Sequence, residues 1–273
     1  MTATDLLDRY AALLLDAWGV LVTAGGAVPG AVGLVARLLA EDRRFAVVTN
    51  TSSRSPEATA AHLATHGMPI PVERIVSPLM LLPERIAAAG LRGAPVVVLG
   101  PEDPVAAVRE AGAVPVAPSP EVQAVIVCDE SGFPFVPTVD AVVEAVERRV
   151  RAGRPVRLWL ANPDLVYPRG PDTVGMGSGA VALVLQAMLD ARLGVRAPRL
   201  EPLGKPAPDL VHAACARLGT RDAVLIGDQL GTDVTAAHAA GIDAALVATG
   251  LTRVDGVAVW DPAPRWLLRD LEA

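Results

Sequence analysis

The chain has a single lysine in 273 residues, against twenty-three arginines. Arginine is tolerated wherever a generic surface cation will serve. The one lysine that remains, Lys205, is therefore expected to be needed as a compact, rotatable ammonium that a planar guanidinium cannot replace. Cysteine is almost as scarce. Cys128 and Cys215 give no disulfide framework, and a reducing compartment is expected. Aromatic residues make up only 3% of the chain, so its core must be aliphatic, built from Ala, Val and Leu. Positive charge is short too: a net charge of −6 and a pI near 5.3 argue against nucleic acid or an anionic membrane surface as partner. The one basic cluster, Arg148-Arg149-Val150-Arg151-Ala152-Gly153-Arg154, falls at the end of a predicted helix. The helix dipole favours cations there, so it reads as a solvated C-terminus. No basic n-region accompanies Asp5, Asp8 and Asp16, and no apolar run reaches the roughly 18 residues of a membrane span. A soluble, cytoplasmic protein is expected.

What is present is order. Strand-like apolar runs alternate with helical patterns throughout, the signature of a mainly parallel, doubly wound α/β sheet covered by helices. Strands are predicted at 12–16, 46–49, 96–99, 124–128, 157–161, 224–227 and 244–247. Helices are predicted at 29–41, 56–66, 78–89, 103–111, 138–152, 179–192, 207–218 and 232–240. Ser55-Pro56 places a cap before a first-turn proline, and Gly67 ends that helix. The length suits two domains, and residues 74–199 hold enough strands and helices for a core of their own. The expected organisation is a core formed by 1–73 and 200–273, interrupted by an α/β insert.

In such a sheet, ligands bind at the carboxyl ends of the strands. Three strands here end in functional side chains: Asp16 after Leu13-Leu14-Leu15, Thr49 after Ala46-Val47-Val48, and Asp228 after Val224-Leu225-Ile226-Gly227. Thr232-Asp233 lies just beyond Asp228, and Lys205 sits in Gly204-Lys205-Pro206-Ala207-Pro208. Two acids and one ammonium at strand ends point to a metal-assisted phosphoryl site.

Taken together, Leu15-Asp16-Ala17-Trp18-Gly19-Val20-Leu21, Val48-Thr49-Asn50-Thr51-Ser52-Ser53-Arg54, the Lys205 stretch and Ile226-Gly227-Asp228-Gln229-Leu230-Gly231-Thr232-Asp233 resemble the four motifs of the haloacid dehalogenase (HAD) superfamily. Pro29-Gly30, Asn162-Pro163-Asp164 and Gly175-Met176-Gly177-Ser178-Gly179 extend the resemblance to its class IIA phosphatases, and it covers nearly the whole chain. The resemblance implies a HAD-like core with a C2-type cap at the insert. It implies Asp16 as a nucleophile that forms an aspartyl-phosphate, which splits one difficult displacement into two easier ones. It implies Mg²⁺ held by Asp16, Asp228 and the backbone carbonyl of Trp18. Thr49, Asn50, Thr51 and Lys205 would hold the phosphoryl oxygens, while Asp233 would orient Lys205 or metal-bound water. The implied substrate is a small phosphorylated metabolite, and the implied partner is a second copy, paired through the cap.

One position departs from the family pattern. Its phosphatases place a second aspartate two residues after the nucleophile as general acid and base, and here that residue is Trp18. An indole cannot exchange a proton near neutral pH, and losing a positioned acid–base typically forfeits about 10² to 10⁴ in rate. Three readings stay open. The enzyme acts on good leaving groups such as acyl phosphates, anhydrides or aryl phosphates, another group supplies the proton from the cap, or the chain binds phosphorylated ligands without turning them over. Dehalogenases of the superfamily also lack the second acid, but they use no metal, whereas Gly227-Asp228 and Asp233 are kept here. Phosphonoacetaldehyde-type hydrolysis needs a cap lysine, and none exists.

The remaining features are weaker. Gly175-Met176-Gly177-Ser178-Gly179 reads as a glycine-rich helix entry capped by Ser178. Asn162-Pro163-Asp164 either faces the substrate or makes a strand-end turn. Arg54 either reaches a substrate carboxylate or second phosphate, or faces solvent. His62, His66, His212 and His238 have no ligand spacing, and Trp159, Trp260 and Trp266 read as core or packing residues.

Overall fold

A computed structural model describes residues 2–170, 173–252 and 260–272. Its larger sheet runs Trp266–Leu268, Asp243–Val247, Ala223–Gly227, Ala12–Leu15, Arg44–Val48, Ile75–Val76, and every neighbouring pair is parallel. Both faces are covered, which is why these strands are unbroken apolar runs rather than alternating ones. Leu13, Leu15, Phe45, Val47 and Ile226 pack on one face against Leu34, Val35 and Leu38 of helix Ala31–Ala40 and Leu63 of helix Pro56–Thr65. Leu14, Ala46, Val48 and Leu225 pack on the other against Leu210 and Ala214 of helix Asp209–Leu218.

The second sheet lies wholly between the two halves of the first. Its order is Leu200–Pro202, Arg157–Leu160, Ala124–Val127, Pro95–Leu99, Val114–Pro115, again parallel throughout. Val97, Leu99, Val125 and Val127 meet helices Phe135–Arg151 and Ser178–Leu193 through Val142, Val146, Leu185 and Leu189. Val96, Ala124 and Ile126 meet Leu82, Ile86 and Val108 on the opposite face. The α/β, doubly wound reading of the sequence describes both sheets.

Several expectations need correction. The boundaries at 74 and 199 shift, because Ile75–Val76 pairs with Arg44–Val48 in the first sheet and Leu200–Pro202 pairs with Arg157–Leu160 in the second. Strands of two or three residues have no periodicity of their own to read. The helix expected at 232–240 is a π turn over Leu230–Val234 followed by Thr235–Ala240. Helix Ala3–Arg9, closed by a Thr2–Asp5 capping box, was not anticipated, nor were the hairpin Val22–Thr23 with Gly26–Ala27 and the pairing of Val166–Gly170 with Thr173–Met176. Ser178 does not cap its helix. Gly177 is the cap residue, and the Ser178 hydroxyl donates to the Asn162 carbonyl at 2.9 Å.

The basic cluster is only partly solvated: Arg149 is buried, and its guanidinium donates to the Pro155 carbonyl at 2.7 Å. Trp159 is buried, but Trp260 stands 40% exposed and so is not a core residue. Finally, Ser178–Arg196 is long and apolar enough, by length and composition, to cross a membrane. Within this fold Val181, Leu185 and Leu189 seat that helix on the second sheet.

Candidate active site

Parallel pairing brings the functional strand ends to one edge. Leu15 is level with both Ile226 and Val47, so Asp16 leaves the sheet beside Gly227 and Val48, with Asp228 and Thr49 one residue further on. The turn after Asp16 needs glycine. Gly19 has φ +85°, and a Cβ there would lie 2.4 Å from Asp228 Oδ2. A Cβ on Gly227 would fall 2.2 Å from the Cβ of Asp233, so glycine also lets the turn of Leu230–Val234 close over the strand end.

Asp16, Lys205, Asp228 and Asp233 are all buried. The Lys205 ammonium donates to Asp16 Oδ1 at 2.7 Å, to Asp233 Oδ1 at 2.6 Å and to the Val48 carbonyl at 2.8 Å. Its three protons are spent on three acceptors from three separate segments, which suits a compact ammonium with three rotatable donors. The second oxygen of Asp233 accepts from the backbone N–H groups of Asp228 and Gln229 at 3.1 and 3.0 Å. Three of the roughly four acceptor positions of Asp233 are thus taken, and what it does is hold Lys205 and the strand end together. Asp228 Oδ2 accepts from the Leu251 N–H at 2.8 Å, while its Oδ1 is buried with no partner.

Electrostatics follow from this crowding. Burial pushes the Asp16 carboxyl up to about 7, against the pull of Lys205. Burial, then repulsion from Asp233 and Asp16, raises Asp228 well above the usual carboxylate range. Burial works against the Lys205 charge, but Asp16 and Asp233 outweigh it and hold the ammonium above its ordinary value. Three carboxylates share one ammonium, so the cluster lacks positive charge when ionised. Ligand oxygens of Asp16, Asp228 and Asp233 lie within 4.8 Å of one another. With Asp233 largely engaged and Asp228 Oδ1 orphaned, the residues fit a hard divalent cation held chiefly by Asp16 and Asp228.

The stretch after Thr49 is differently employed. The Thr49 hydroxyl donates to Thr51 Oγ1 at 3.0 Å and accepts from the Thr51 N–H at 3.1 Å, a local turn that opens the loop toward the cavity. The Asn50 side chain is a brace. It accepts from the Lys205 N–H at 2.7 Å and donates to the Lys205 carbonyl at 2.9 Å and to Asp164 Oδ1 at 3.1 Å. Of Asn50, only backbone is left to offer a ligand. Ser52 donates to the Cys128 carbonyl, tying this loop to the second sheet.

These groups line a cavity of about 520 Å³ between the two sheets. Asp16, Thr49, Thr51, Arg54 and Asp228 come from the first, and Asp129, Glu130, Asp164 and Tyr167 from the insert. Arg54 thus lines the cavity, and Asp164 is both a turn residue, its N–H donating to Asn162 Oδ1 at 2.9 Å, and a cavity residue. Asp129 and Glu130 were not singled out from the sequence, although they follow the strand Ala124–Val127 as Asp16 follows Ala12–Leu15. The packing under Trp18 also went unread: its indole stacks on His62 with ring centroids 5.9 Å apart, and His62 meets His66 edge-on at 4.9 Å. His62 and His66 are four apart on one helix, which puts them on one face. Burial, then the nearby Arg54, lowers the His62 pKa.

Comparison with known proteins matches residues 13–114 to a family model of haloacid dehalogenase-like hydrolases and residues 202–273 to a HAD-hydrolase-like model. The D-glycerol 3-phosphate phosphatase of Mycobacterium tuberculosis is 29% identical over 98% of this chain and 72% of its own length. A solved structure of a possible sugar phosphatase from Cytophaga hutchinsonii superposes with a TM-score of 0.86 at 26% identity, covering 100% of this chain and 98% of that one. The glycerol phosphate phosphatase of M. tuberculosis, solved in complex with magnesium, superposes with a TM-score of 0.79 at 28% identity, over 97% of this chain and 76% of that one. The first matched segment runs on into the insert, the second begins at Pro202, and together they carry Asp16, Lys205, Asp228 and Asp233 of the buried cluster. The chain belongs to the haloacid dehalogenase superfamily of hydrolases, in its class IIA.

Proposed function

We propose that this protein is a Mg²⁺-dependent phosphatase that hydrolyses small phosphorylated metabolites through an aspartyl-phosphate at Asp16. The observation that carries this reading is the buried cluster itself: one ammonium bridging Asp16 and Asp233, beside an Asp228 oxygen with no partner. Asp16 and Asp228, with the Trp18 carbonyl, would hold the cation, which when bound supplies positive charge for the phosphoryl oxygens. Asp16 Oδ2 is the oxygen left for attack, since Oδ1 is held by Lys205. Lys205 fixes the direction of that carboxylate and neutralises charge on the transferring group, and Asp233 keeps the ammonium in place. Thr49, Thr51 and the backbone N–H groups of the loop after Thr49 would receive the remaining phosphoryl oxygens.

A cavity of about 520 Å³ suits a small metabolite. The relatives named for glycerol phosphate and sugar phosphate point to alkyl esters as substrates. The insert would act as a C2-type cap, and exposed Val174, Met176, Leu183 and Val184 on its outer surface support pairing of two copies there. The test is a turnover screen of aryl and alkyl phosphates with Mg²⁺. Turnover of either class supports the hydrolase. Ligand binding without turnover on any ester would replace it with a phospho-ligand-binding protein, the reading that Trp18 favours.

A further inference from the structure

Trp18 leaves the hydrolase without a proton donor at the position next to its nucleophile, yet the cavity is not short of carboxyl groups. The geometry points to Asp164, from the insert, as the general acid and base of this site. That assignment rests on the phosphatase reading above and supplies the proton that it leaves unaccounted for.

Asp164 is fixed from both sides. Its N–H bonds Asn162 Oδ1 at 2.9 Å, its carbonyl accepts from the Gly179 N–H at 3.0 Å, and Ser178 holds the Asn162 carbonyl at 2.9 Å. A Cβ on Gly179 would lie 2.9 Å from the Asp164 carbonyl oxygen, so the helix entry at 177–179 is glycine-rich in order to seat this turn. Its carboxyl then reaches across the domain junction to Asn50 at 3.1 Å, and Asn50 is clamped to both backbone polar groups of Lys205. Asp164, Asn50, Lys205 and Asp16 thus form one continuous bonded series, of which Asp164, Asn50 and Asp16 line the cavity. A carboxyl group contributed by the cap is in this way locked in register with a nucleophile contributed by the core.

Other acids of the cavity serve less well. Asp129 Oδ1 is occupied by the Ser131 N–H at 3.0 Å and by the Ser131 hydroxyl at 2.5 Å. Glu130 makes no bond to the core among the described residues, and Tyr167 stands 39% exposed. Asp228 faces the cation side with Asp16. The charged groups acting on Asp164 are Lys205, which favours its ionised form, and Asp233, which opposes it. Burial dominates and holds the carboxyl at about 6, within reach of both protonation states near neutral pH.

The chemistry balances. As an Asp16 oxygen bonds phosphorus, the bond from phosphorus to the leaving oxygen breaks, and that oxygen takes the Asp164 proton to leave as an alcohol. The Asp164 carboxylate next takes a proton from water as the water oxygen bonds phosphorus. The bond from phosphorus to Asp16 breaks, releasing phosphate and restoring the Asp16 carboxylate and the Asp164 carboxyl.

The test is Asp164→Asn in the full chain with Mg²⁺, assayed on glycerol phosphate and on 4-nitrophenyl phosphate. Alkyl turnover should fall by about 10² to 10⁴, the worth of a positioned acid–base. With the aryl ester, whose leaving group needs no proton, the variant should show a single-turnover burst of nitrophenolate followed by a slow phase, because water attack still lacks its base. Asp164→Glu, which keeps a carboxyl, should recover part of the alkyl rate. Trp18→Asp in the Asp164→Asn background should restore it by supplying an acid beside Asp16. Equal fractional losses on both esters without a burst, or unchanged alkyl turnover, overturn the assignment while leaving the phosphatase standing. A wild-type protein inert on both esters overturns the phosphatase and this role with it.

Discussion

Replacing Lys205 by arginine should damage this protein nearly as much as replacing it by methionine, although arginine keeps the charge. Lys205 is 1% exposed, and its ammonium makes bonds of 2.7, 2.6 and 2.8 Å to Asp16, Asp233 and the Val48 carbonyl. Lys205→Met leaves two buried carboxylates and a carbonyl without that partner. Breaking a buried ion pair from one side costs about 3–5 kcal/mol. For a protein of this size each kcal/mol moves Tm by about 2–4 °C, so the fall should be about 6–20 °C. Lys205→Arg keeps the charge but forces a larger planar group into a filled site, an overpacking cost of about 1–3 kcal/mol. A flat fork cannot place donors toward all three acceptors at once. Losing a preorganised electrostatic group in a catalytic site costs about 10² to 10³ in kcat, and because both variants release Asp16 Oδ1 from its fixed direction, both should lose at least that. Thermal melts in chelator followed by circular dichroism, with initial rates on 4-nitrophenyl phosphate in Mg²⁺, read both effects. An arginine variant that melts with the wild type and keeps most of its kcat would refute the argument from the solitary lysine.

Asp16→Asn should abolish turnover while the melting curve stays cooperative, since the amide is nearly isosteric but not nucleophilic; wild-type-like activity would remove Asp16 from the nucleophile role. Chelator should end activity and Mg²⁺ restore it, and saturating Mg²⁺ at about 100 times its Kd should raise stability by about 2.7 kcal/mol. Asp228→Asn should lose that stabilisation, and full activity in chelator would argue for metal-independent chemistry. Because Asp164 already supplies the proton, Trp18→Asp alone should leave the alkyl-to-aryl rate ratio near that of the wild type, and a large rise would argue against Asp164; removing a partly buried indole stacked on His62 makes a melt the necessary first check. Asp164 titrates near 6 in the folded chain against 3.8 for the free group, so between those pH values the folded chain holds a proton the unfolded one has released. Stability should fall as pH rises through that window, and Asp164→Asn should flatten the slope; an unchanged slope would mean the carboxyl is not held in its neutral form.

Much of the site could be read before folding, because its signals are local. An apolar run that ends in Asp16, Thr49 or Asp228 says that a buried parallel strand delivers a polar group to one edge, and that edge is where such sheets bind ligands. The same periodicity located the helices Pro56–Thr65 and Ser178–Leu193 to within a residue or two. The lone lysine marked its own importance through composition. What the sequence could not give is whatever depends on partners far along the chain. Ile75–Val76 and Leu200–Pro202 are strands only because a neighbour pairs with them, and the domain boundary follows them. Arg149 is buried because the segment at Pro155 folds back on its helix, which no charge pattern announces. Asn50 reads as a phosphate-loop residue, yet its side chain is spent on Asp164, 114 residues away, and on Lys205, 155 residues away. Trp18 reads as a missing acid, and only packing shows what surrounds it: His62 behind, and the insert's carboxyls across the cavity. Residue types and their spacing set which chemistry was available. The pairing of distant segments decided which oxygens were left free to perform it, because hydrogen bonds saturate and each one made elsewhere removes a group from the reaction.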